Sequence, residues 1–90
     1  MHLTDQEAAT RVADQQNELG ALRAVLAASK AHLSAIANKR HALRQLTAAA
    51  QNDRAGATEA HHDAVMQATA RVDRAEAYLF AAIDRAEAER

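Results

Sequence analysis

The sequence predicts an all-α fold: an antiparallel helical hairpin of coiled-coil type, with a long first helix, packing into an oligomeric bundle. Three observations carry that expectation. Heptads stack from Val12 to Ala50, with Val12, Leu19, Leu26 and Leu33 at one core position (a) and Leu22, Ile36, Leu43 and Ala50 at the other (d). Spacings alternating between three and four hold these side chains on one stripe of a helix, and such a stripe needs another helix to cover it. The chain has no proline, and its one strong punctuation falls at Asn52-Asp53-Arg54-Ala55-Gly56-Ala57-Thr58. Finally, 26 of the apolar residues are alanines, only 18 are larger, and no cysteine is present to staple them. A 90-residue chain with so few large side chains is short of core, and an oligomer is the simplest way to bury more.

The first helix is expected from about residue 4 to 53. Thr4 to Glu7 reads as a capping box, in which the Thr4 hydroxyl accepts from the Glu7 amide and the Glu7 carboxylate accepts from the Thr4 amide. Asp5 and Glu7 also sit at the positive end of the helix dipole. Gly20 is the one internal weak point, yet the heptads pass through it unshifted, so one continuous helix is predicted, with a break near Asn17 to Gly20 as the alternative. A turn is expected over about 54–57, where Gly56 can adopt the left-handed conformation that closes a helix. Thr58 then caps a second helix reaching about residue 89.

That second helix carries Val65, Ala68, Val72, Ala75, Leu79, Ala82 and Ala86 along its seam, widened by Met66, Phe80 and Ile83. It is shorter than the first. A hairpin folded at Gly56 therefore leaves Leu3 to Leu22 overhanging, with Val12, Leu19 and Leu22 uncovered unless another chain reaches them. A second feature of the first helix is an alanine ridge, Ala21, Ala28, Ala35, Ala42 and Ala49, recurring every seven residues away from the leucines. It admits a helix at close approach, which would place the first helix at the centre of a bundle.

Charge is divided between the two helices. No acid lies between Glu18 and Asp53, while Arg23, Lys30, Lys39, Arg40 and Arg44 make that span +5; region 58–90 has four arginines against seven acids, −3. Folding about Gly56 sets Arg40 near Asp73, Lys30 near Asp84, and Arg23 near Glu87 and Glu89. Such exposed pairs select antiparallel pairing more than they stabilise it. The same five basic residues are the candidate contacts of an alternative reading, a nucleic-acid-binding accessory protein. Against that reading stands the lack of interleaved aromatics for stacking on bases.

No catalytic constellation is present, and the chain is not expected to be an enzyme. Glu59 and His62 have the Glu-x-x-His spacing of di-iron bundles, but the acid-free span 19–52 cannot supply the facing carboxylates. His61 and His62 therefore read as solvated residues of a helix start, and no metal or cofactor is expected. The layout is similar to the Trp-x-Gly helical hairpins of type VII secretion. The chain has no tryptophan, however, and Tyr78 is followed four positions later by Ala82 rather than an acid, so it is not assigned to them.

The near-neutral net charge of −1, the absence of a long apolar run and the polar start Met1-His2-Leu3-Thr4-Asp5 predict a cytoplasmic protein with no membrane partner. Nine arginines against two lysines fit a GC-rich bacterial or bacteriophage genome. The expected function is structural or adaptor work by a homo-oligomer, dimer or tetramer, with a second protein as a further partner. Val12, Leu19, Leu22, Leu26, Leu33 and Ile36 are its expected contact residues.

Overall fold

The computed structural model describes residues 4–52 and 55–89. Two helices account for them: α1, Asp5–Gln51, and α2, Ala55–Ala88, packed antiparallel in a hairpin. The rod they form measures 76 × 14 × 12 Å. Its cross-section is only as wide as two helices, so every residue lies within one side chain of water.

The start of α1 is the predicted capping box. The Glu7 amide donates to the Thr4 hydroxyl at 3.2 Å and the Thr4 amide donates to the Glu7 carboxylate at 3.4 Å. Helix α1 then runs unbroken through Gly20. Asn52 closes it, its amide donating back to the Ala48 carbonyl at 3.1 Å. Thr10, Thr47 and Thr69 each donate a hydroxyl to the carbonyl four residues back, which satisfies those side chains without a partner from the other helix.

The reversal is tighter than the sequence suggests. Helix α2 already begins at Ala55, so Gly56 and Thr58 lie inside it rather than closing and capping helices. Residues 53 and 54, part of the expected helix end and turn, lie outside the described residues. Since α1 ends at Gln51 and α2 starts at Ala55, the pivot moves from Gly56 to about residue 53. Opposed residues consequently shift by about seven positions, and the overhang of α1 ends near residue 17 rather than at Leu22. Arg40 comes level with Met66 rather than Asp73, and Lys30 with Glu76 rather than Asp84.

The larger correction concerns which stripe of α1 the second helix covers. It is the alanine ridge. Ala21, Ala28, Ala35 and Ala49 are buried, with Ala42 half-buried between them, while Leu26 and Leu33 are as open as Leu19 and Leu22. On α2 the predicted seam is the one used: Ala68 is buried and Val65, Val72, Ala75, Leu79, Ala82 and Ala86 are half-buried. The physical reason is shape. Large side chains recur every seven residues on α2, and Leu79, Val72 and Val65 come level with Ala28, Ala35 and Ala42. Bulk on one helix faces an alanine on the other, so the axes can approach toward the lower end of the usual 8–10 Å. Leucines on both sides would have held them apart.

Candidate interaction surface

Covering the alanine ridge leaves the leucine stripe bare. Val12, Leu19, Leu22, Leu26, Leu33 and Leu43 are between 41% and 65% exposed, whereas Ala28 retains 2%. At 100° per residue the two stripes are centred roughly 130° apart around α1, so α2 cannot cover both. Ile36, the remaining predicted contact residue, is half-buried because it lies on the side of the stripe nearest α2.

The stripe does not stand alone. A shallow groove between the helices is lined by Glu18, Leu22 and Val25 from α1 and by Ile83, Ala86 and Glu87 from α2. Leu22 and Ile83 therefore share one face of the hairpin. Met66 and Phe80, in line with Glu87 at multiples of seven, open onto that face and are 59% and 55% exposed. By sequence they widen α2's apolar face; with the hairpin seam on the alanine ridge and not on the leucines, one face of the hairpin holds both sets. The opposite face carries Ala27, Ser34, His41, Gln67 and Arg74, with the exposed Tyr78 on that side of α2.

The nine large apolar residues left exposed can be set against a physical scale. A compact monomer of 9.7 kDa has an accessible surface of about 5,100 Å². This chain has 7098 Å². The excess of about 2,000 Å² is more than twice the roughly 800 Å² that one partner contributes to an interface of standard size.

The basic residues do not form one patch. Arg23, Lys30 and Arg44 lie on a line, spaced by seven and fourteen, and are exposed. Arg40 continues the leucine stripe, and Lys39 is half-buried beside the seam. His61 is a second correction: it is half-buried on the interhelical seam rather than solvated, while Glu59 and His62 are exposed. Among the described residues no three side chains of metal-ligating type converge. Searched for membrane spans, the described helices include none long and apolar enough to cross a bilayer. Compared with protein families, curated proteins and solved structures, the chain matches none.

Proposed function

We propose that this chain is a non-enzymatic structural or adaptor protein, a helical rod that self-associates and through that assembly mediates protein–protein interaction. The observation that carries the reading is the bare leucine stripe of α1, lying on the same face as Met66 and Phe80. Large apolar side chains exposed in number along one face mark an interaction site more often than isolated ones do. Among the described residues, the groove between the two helices at Leu22 and Ile83 is shallow and offers little from which to build a catalytic pocket.

The test is absolute mass by size-exclusion chromatography with light scattering, using refractive index for concentration because one tyrosine absorbs weakly. A dimer or tetramer free of 260 nm absorbance is the expected result. A monomer at all concentrations would overturn the reading.

The exposed line of Arg23, Lys30 and Arg44 supports a second reading, a nucleic-acid accessory protein. It predicts binding that weakens steeply with salt. The absence of a mobility shift at low salt would remove it.

A further inference from the structure

We infer that the leucine face is covered by a second copy of this chain, with the two α1 helices antiparallel and the two-fold axis beside Ala28. This rests on the self-association proposed above and fixes its geometry.

The first argument is the pattern of side chains along α1. In antiparallel pairing, an a residue of one helix meets a d residue of the other. One register gives every large side chain of the stripe but Leu26 a large partner: Val12 meets the partner's Leu43, Leu19 the partner's Ile36, and Leu22 the partner's Leu33. Leu26 meets the partner's Ser29 next to the axis. Shifting by one heptad sets Leu43 against the partner's Asp5 in one direction and Leu22 against the partner's Arg40 in the other. The best register also has its centre within one residue of Ala28, the midpoint of Asp5–Gln51, so the two helices overlap along their whole length.

The second argument is charge. Residues 5–18 hold Asp5, Glu7, Asp14 and Glu18 against Arg11, a net −3, and residues 37–50 hold Lys39, Arg40 and Arg44, a net +3. The register found from the apolar residues lays these two segments against each other at both ends of the dimer. Glu18 falls beside the partner's Lys39. Parallel α1 helices would instead set −3 on −3 and Arg40 on Arg40. Against the antiparallel arrangement, Arg23 and Lys30 of both copies meet along one rim near the axis, where solvent and salt screen them.

The third argument is coverage. The alanine ridge stops where α2 stops, its stripe continuing toward the N-terminus as Asp14 and Glu7, but the leucine stripe runs on to Val12. The α2 of its own chain does not reach that far in the hairpin, and α1 of a second copy is long enough to cover the stripe whole. Stacking the hairpins this way also brings Phe80, level with Leu26, close to its own symmetry mate.

Cysteine cross-linking tests the geometry directly, because the chain has no cysteine of its own. Full-length Val12→Cys and Leu43→Cys chains, mixed and oxidised, are expected to give a disulfide-linked dimer. Neither should link to itself, since self-linked positions would stand roughly 46 Å apart along the axis, beyond any disulfide. Val12→Cys linking to itself, or linking to Ile36→Cys in preference to Leu43→Cys, would overturn the antiparallel register while leaving self-association standing. An unlinked mixture from a dimeric protein would overturn it too, and a monomeric unsubstituted chain would overturn both proposals. If the cysteine chains misfold by circular dichroism, charge reversal decides. Glu18→Lys should weaken the dimer and Lys39→Glu, added to it, should restore it; failure to restore would overturn the pairing.

Discussion

Helix α1 carries two apolar stripes that treat their surroundings differently. The alanine stripe is closed by α2 within the same chain, and the leucine stripe is left open to solvent. A scale that weights residues by hydrophobicity ranks the leucines first for burial. The hairpin is built the other way because its seam is chosen by fit, alanine under valine and leucine, and by length, since the alanine ridge is as long as α2 can reach. Along α1, then, small residues meet the second helix and large ones stay exposed.

The widest separation between the stripes should come from charge placed on the leucines. Leu19→Asp with Leu22→Asp is expected to dissociate the assembly while leaving the hairpin partly helical. At about 2 kcal/mol for each contact residue, and with both substitutions present in both copies, association should weaken by well over a thousandfold. Light scattering reads the mass and circular dichroism the helix; an unchanged mass would mean that these leucines are not in the interface.

A smaller effect is expected on the alanine side. Ala28→Leu forces bulk into the closest approach of the helices and should destabilise the hairpin by about 1–3 kcal/mol, read as a lower thermal midpoint. If the midpoint held, α2 would not be lying on the ridge.

The smallest expected change discriminates the two accounts of the turn. Gly56 lies within α2 and nothing stands within 4 Å of a Cβ added there, so Gly56→Ala should stabilise by up to about 1 kcal/mol. Were Gly56 the left-handed terminator, the same substitution would destabilise.

Much of this architecture was legible in the residues. The capping box at Thr4 and Glu7, the unbroken helix through Gly20 and the seam of α2 follow from local chemistry and period; an overhang of α1 follows too, but it ends near residue 17 and not at Leu22. What the residues did not disclose was the pairing. Heptad periodicity is present twice on α1, and period alone does not say which stripe meets which helix. Two signals pointed to the answer: large residues alternating with alanine on α2 call for a small partner, and the ridge's charge-free extent, Ala21 to Ala49, matches α2's reach. The turn was misplaced because glycine suggests a stop, although Asn52 had already closed the first helix. As for the candidate surface, the leucine heptads that compose it are visible in the sequence, but that they stay exposed, and that Met66 and Phe80 open onto the same face, depends on which way the hairpin faces.

The uniform seam has a consequence for how such a molecule changes over generations. Each seven-residue unit of α1 meets a seven-residue unit of α2 through the same kind of contact, so one unit gained or lost in both helices conserves the chemistry of the seam. Each such change alters the span of the rod by about 10.5 Å. Length is thus a property that insertion and deletion can tune in steps, as the markings on a ruler can be extended, with little change in how the two helices recognise each other.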